Sequence, residues 1–315
     1  MKVPIFLKPV FKERIWGGTA LRDEYGYDIP SPTSGECWAI SAHPNGPNKV
    51  LNGEYEGWTL DQLYIEHPEL FGNINHKVFP LLTKIIDAND ELSVQVHPDN
   101  EYAAVYENGE LGKTECWYIL SCNENAEIIF GHHAKTKEEF KDMIQQGKWD
   151  SLLQRVPVKK GDFFYVPSGT LHALGKGIRV LETQQSSDTT YRVYDYDRVD
   201  DNGNKRELHI EKAIAVTTIP HQPANTSVKV KQQGNVKITT FISNEFFTIH
   251  KWDLNGQIVQ EQNQPFQLVS VIEGEGELQI ANSLFKLAKG DHFILPSTVG
   301  QFTMKGSISL IVSHL

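Results

Sequence analysis

Cysteine is scarce. Only Cys37, Cys116 and Cys122 occur among 315 residues, and none of them forms a CxxC pair. An odd count without paired spacing excludes a disulfide framework. It fits a reducing compartment, so a cytoplasmic protein is expected. Cys37 and Cys116 each precede a tryptophan in the triplet ECW, which reads as core rather than as an activated thiolate. Positive charge is also short: 30 Lys and Arg stand against 40 Asp and Glu, a formal net charge of −10. Nucleic acid and anionic membranes are therefore not expected as partners. A local group of basic residues can still reverse the field inside one cleft. Long apolar runs are missing too. The opening MKVPIFLKPVF is interrupted by Pro4, Lys8 and Pro9, too broken for a signal peptide or a membrane span. What remains is 39% hydrophobic and 22% charged, an ordinary globular balance with ample material for a core. The length allows two domains.

Most of the chain reads as short strands separated by Gly, Pro, Asn and Asp. The first set is LSVQVHP (92–98), CWYILSC (116–122), AEIIFG (126–131), DFFYVPSG (162–169) and IRVLETQQ (178–185). The second is FFTIHKWDL (246–254), FQLVSVIEG (266–274), GELQIA (276–281), DHFILPS (291–297) and SISLIVSHL (307–315). Alternation and regular turn spacing predict a mainly β protein, a sandwich or a barrel. Three helices are expected to pack outside it, at 59–72, 136–156 and 206–216. Thr59 with Gln62, and Thr136 with Glu139, have the spacing of capping boxes. Phe140, Met143 and Ile144 recur at helical spacing. The segment KKGDFFYVPSGTLHAL (159–174) has an echo in AKGDHFILPSTVGQFT (288–303), so one β unit occurs twice. The second copy carries Gln301 near the place of His172. The polar stretch 221–235 connects the two, giving expected domains of 1–220 and 221–315.

Three segments carry chemistry. In GDFFYVPSGTLHAL (161–174) an aromatic strand ends in a turn that delivers His172. In SVQVHPDN (93–100), strand periodicity places Gln95 and His97 on one face and Val94 and Val96 on the other. In GKTECWYIL (112–120), Glu115 enters an aromatic strand, where an isolated buried carboxylate is expensive. Two His, one Glu and one Gln make a mixed nitrogen and oxygen donor set. Zinc accepts such a set, as do manganese and iron.

The spacing G-x5-P-x-G-x2-H, from Gly161 through Pro167 and Gly169 to His172, resembles the second conserved motif of the cupin superfamily. Those proteins are double-stranded β-helix barrels with a metal in the mouth. QVHPD, KTECWYIL, VPSGTLHAL and LETQQSSDTTYRVYDY together resemble the type I mannose-6-phosphate isomerases in their short bacterial form. The match runs from FKERIWGG near the start to the final SHL. The resemblance implies two cupin-type units, with a catalytic first unit and a second lacking the metal site. It implies one zinc ion per chain on Gln95, His97, Glu115 and His172, with His172 arriving from the opposite sheet.

The family interconverts mannose 6-phosphate and fructose 6-phosphate by moving a proton between C2 and C1 through a cis-enediol. Such a site needs a carbonyl polariser, a proton carrier and a phosphate holder. Arg192 matches a family position lining the site, for phosphate or for the enediolate oxygen; an exposed arginine would otherwise be ordinary. Lys84 reads either as a strand-end lysine reaching solvent or as a cation in the cleft. Ser93 shares a face with Gln95 and is a candidate for the phosphate. Lys113, beside zinc and another cation, is a candidate base if its pKa is lowered; Glu182 competes with it. Asp188 is expected to orient Arg192, and Trp16 to line the entrance or simply to pack. The chain departs from longer relatives in a reduced insertion between Glu115 and His172 and in Ala173-Leu174 after the histidine. A monomer acting on a small sugar phosphate is expected. Other sugar isomerases, an iron-dependent cupin oxygenase and a sugar-binding module are the competing classes. The glutamine and the absence of facial His-His-carboxylate spacing weigh against the oxygenase.

Overall fold

Alternating side chains lay down three antiparallel sheets in the computed structural model, which describes residues 2–200 and 202–315. The first sheet has six strands in the order Phe163–Val166, Glu115–Cys122, Ile178–Gln185, Leu81–Ala88, Ser34–Ile40 and Val10–Gly18. The second has five, in the order Tyr191–Tyr194, Val94–Val96, His172–Leu174, Glu127–His132 and Leu153–Pro157. Their inner faces share a core in which Trp117, Ile119 and Val180 of the first meet Ile128 and Leu174 of the second. The outer face of the five-stranded sheet is covered by Lys137–Gln145, Trp149–Leu152 and Ile210–Val216. Phe140, Ile144, Leu152 and Ala213 of these helices pack on Val94, Val96 and Ala173.

The third sheet has nine strands, most of them after residue 228, and its own apolar interior around Trp252, Val271, Phe293 and Leu310. The outer face of the six-stranded sheet packs on it through Cys37, Ile85 and Leu181 against Ile249, Phe266 and Ile294. Two early strands also join this sheet: Ile5–Lys8 pairs with both His292–Pro296 and Lys49–Val50. The division expected at residue 220 is therefore crossed by backbone hydrogen bonding.

The repeated β unit has a common turn. Lys159 N donates to Asp162 Oδ2 at 2.9 Å, and Ala288 N donates to Asp291 Oδ2 at 2.7 Å. Gly161 and Gly290 both take the left-handed conformation there, at φ +92° and +94°, which an L side chain adopts at a cost. The copies diverge after Pro-Ser. His172 is buried and opens the strand His172–Leu174, whereas Gln301 is exposed at the start of Gln301–His314.

Several expected elements are shorter or fused. The helix over 59–72 stops at Glu66, because Pro68 disfavours helical backbone at His67. The helix over 136–156 breaks at Gly147, φ +62°, and turns into strand at Leu153. The third begins only at Ile210. FQLVSVIEG and GELQIA form one strand, Phe266–Ile280, with a bulge between Val271 and Glu273. Two short helices were not anticipated, Ala20–Tyr25 and Asn100–Tyr106; the second is capped by Asp99 Oδ1, which accepts from Tyr102 N at 2.8 Å. Phe266 has no exposed surface and lies 5.2 Å from Phe79 and 5.9 Å from Phe71, ring centre to ring centre. Phe266→Ala is expected to cost about 3–5 kcal/mol through lost burial and the cavity left behind, read as a lower urea midpoint.

Candidate active site

The period of two along a strand decides which side chains face inward. The triplet ECW occurs twice, at Glu36–Trp38 and Glu115–Trp117. In each copy the cysteine turns to the core shared with the third sheet, while the tryptophan faces the other way. Both thiols are buried and pushed above the ordinary cysteine range by desolvation. Register then builds a row across the six-stranded sheet: Trp117 lies opposite Glu182, Glu182 opposite Lys84, and Lys84 opposite Trp38. Trp117 Nε1 donates to Glu182 Oε2 at 2.8 Å. Lys84 Nζ lies 3.5 Å from Glu182 Oε1 and 5.1 Å from the centre of the Trp38 ring. Lys84 is thus a buried mid-strand cation, not a strand-end residue reaching solvent.

His97, Glu115 and His172 converge where the two sheets meet, their ligand atoms all within 4.8 Å of one another. His172 is the direct partner of Gln95 in the five-stranded sheet. Glu115 opens a strand of the six-stranded one, so it is Glu115 that arrives from the opposite sheet, not His172. Glu115 Oε1 lies 3.2 Å from His172 Nε2, and Oε2 lies 3.4 Å from His97 Nε2 and 2.9 Å from Lys113 Nζ. Neither oxygen is engaged in a well-formed hydrogen bond despite these short distances. The outer ring nitrogens are fixed. His97 Nδ1 donates to Thr189 O at 2.9 Å and His172 Nδ1 to Thr170 O at 2.8 Å. A carbonyl only accepts, so in the neutral rings each Nε2 points a lone pair toward Glu115. Burial, then Lys113, lowers the His97 pKa to about 3, which keeps that ring neutral. Gln95 Nε2 lies 3.4 Å from His172 Nε2, and a half-turn of the amide presents its oxygen there instead. Two imidazoles with anchored outer nitrogens, a carboxylate without good hydrogen bonds and an adjacent amide fit a divalent metal ion.

Next to this cluster is a cavity of about 480 Å³, reached by Gln95, Lys113 and Trp117. Five cationic side chains and four carboxylates line it, so the acidic average of the chain does not describe its interior. Burial works to lower the Lys113 pKa, but Glu115 and Glu182 outweigh it and hold Lys113 above the ordinary lysine range. The expected lowering is therefore reversed, because two carboxylates face this ammonium. Burial, reinforced by the charge of Glu115, raises the Glu182 pKa; Lys113 and Lys84 oppose this.

Arg192 Nε donates to Ser93 Oγ at 3.2 Å, and Nη1 to Glu207 O at 2.8 Å. Asp188 does not orient it: that carboxylate lines the cavity and accepts from Asn45 Nδ2 at 3.0 Å. Trp16 is both, a cavity wall and a member of the shared core at 4% exposure. Four charged residues on the wall escaped the sequence reading: Glu13, Arg14, Glu36 and Arg206. Arg14 grips Glu36 through two bonds of 2.9 and 3.0 Å, while Trp38 Nε1 donates to Glu36 Oε2 at 2.7 Å. Arg206 is held by Asp195 through its Nε at 2.7 Å. The repeated ECW triplet was the available signal for Glu36.

Residues 5–141 match the catalytic domain of type I phosphomannose isomerase, and residues 237–315 match the cupin domain of mannose-6-phosphate isomerase. A mannose-6-phosphate isomerase of Streptococcus mutans is 57% identical over 314 residues, 100% of this chain and 99% of that one. The crystal structure of the mannose 6-phosphate isomerase from Bacillus subtilis is 56% identical, covers 99% of both chains and superposes with a TM-score of 0.98. A phosphomannose isomerase structure from Salmonella typhimurium shares the fold at 16% identity, with a TM-score of 0.80 over 99% of both chains. The chain belongs to the type I phosphomannose isomerase family.

Proposed function

We propose that this chain interconverts mannose 6-phosphate and fructose 6-phosphate, with zinc held by His97, Glu115, His172 and Gln95. The reading rests on one observation: the buried triad of metal-fitting side chains abuts a cavity whose wall carries both cations and a carboxylate of raised proton affinity. When bound, zinc supplies a redox-inert Lewis acid that polarises the carbonyl and neighbouring hydroxyl of the sugar. Glu182 takes the carbon-bound proton from one carbon and returns it to the next, by way of a cis-enediol. Its Oε1 accepts no hydrogen bond, and its Oε2 is steadied by Trp117. Lys113, held charged, offsets negative charge developing on the sugar oxygens. Arg192, Ser93 and Lys84 hold the phosphate and so fix C1 and C2 against Glu182. A cytoplasmic setting follows from the unpaired cysteines. No helix among the described residues is long and apolar enough to cross a membrane.

Chelator-treated protein is expected to lose conversion of mannose 6-phosphate to fructose 6-phosphate and regain it with zinc. Folded, zinc-loaded protein without turnover would refute the assignment. Glu182→Gln is expected to lower kcat by about 10²–10⁴-fold, the usual share of general acid–base catalysis, with little change in KM. The wild-type pH profile should show an acid limb in which activity falls as pH drops through a value above the ordinary carboxylate range, because protonation removes the base. Arg192→Ala is expected to raise KM for the phosphorylated sugar more than it lowers kcat, measured by steady-state kinetics.

A further inference from the structure

A second pair of imidazoles converges in the nine-stranded sheet. His250 lies on Thr248–Glu261 and His314 ends Gln301–His314, two strands paired without a register shift. Strand periodicity puts His250 on one face with Trp252 and Leu254, and His314 with Val312 and Leu310. Those apolar residues form the interior of this sheet, so the two rings cap that interior at one end. Their Nε2 atoms are 3.2 Å apart. The outer nitrogens are tied down: His314 Nδ1 donates to Leu315 O at 2.7 Å, and His250 Nδ1 lies 2.9 Å from Thr240 Oγ1. This is the arrangement of His97 and His172, outer nitrogen anchored and inner nitrogen directed at a common point.

Two imidazoles bound to one ion at about 2.0–2.1 Å bring their nitrogens roughly 2.9 Å apart at a right angle and roughly 3.4 Å apart at a tetrahedral one. The observed separation lies between these limits. We propose that His250 and His314 form a second site, for a divalent transition-metal ion such as Zn²⁺ or Cu²⁺, completed by water. Burial and the neighbouring His314 lower the His250 pKa to about 4, so that ring is neutral near pH 7. His250 is only partly buried, which leaves a route for an ion. With two ligands and no carboxylate in the pair, this site binds zinc more weakly than the triad, and copper more tightly than zinc. An ion here ties the first residues of one long strand to the last of another.

Calorimetric titration of the metal-stripped full chain with zinc tests this. Wild type is expected to take up two equivalents, one tight and one weaker. His314→Ala and His250→Gln should each lose the weaker event and keep both the tight one and the isomerase turnover. A single equivalent in wild type, or a second event untouched by both substitutions, would overturn the proposal and leave a pair that merely shares a proton. If the variants fail to fold, anomalous diffraction from zinc-soaked wild-type crystals decides. A peak between the two Nε2 atoms supports the site, and its absence with the triad filled rules it out.

Discussion

The catalytic half is organised on one buried carboxylate. Glu115 has no exposed surface, and a charge in that position survives only with compensation. Lys113 supplies it, and burial is outweighed, so Glu115 stays ionised. The same charge acts outward. It holds Lys113 protonated and makes Glu182 a stronger base. One buried ion thus raises the proton affinity of two neighbours that face the same cavity, keeping one charged and making the other a better base.

The two ECW triplets show how one local pattern serves two ends. Each puts its tryptophan inward and its cysteine outward, because the strand permits nothing else. Glu36 receives two bonds from Arg14 and one from Trp38. Its needs are met, and Trp38 is left to support Lys84. Glu115 receives no well-formed bond although three nitrogens crowd it. A satisfied carboxylate braces a wall; one with spare lone pairs invites a cation. The contrast lies in the partners, not in the triplet.

That distinction explains what the sequence could and could not disclose. His97 and His172 stood out because each sits beside a proline or glycine turn at a spacing that resembles a known motif. Glu182 and Lys84 were visible singly, but their placement opposite each other depends on the register of two strands almost a hundred residues apart. Nothing local singles out Arg14 or Arg206, since what aims them, Glu36 and Asp195, is remote or reached through a loop. The orientation assigned to Asp188 failed for the same reason: its partner is Asn45, far away in sequence. Helix ends were misjudged where one residue outweighed a periodic pattern, Pro68 in one case and Gly147 in another.

The strand Ile5–Lys8 finds its partner at Phe293 and Ile294, nearly the whole chain away. During synthesis the catalytic sheets can emerge and close long before that partner exists. Leu7 can pair early with Val50, but Ile5, buried in the finished protein, has its ladder partner only at Ile294 and waits as an open apolar edge while the remainder is translated. Such edges attract other chains, and pairing over so great a contour length is slow. The molecule is fastened last where this strand meets Phe293 and Ile294, so the interval before that docking is when it is most exposed to misassembly.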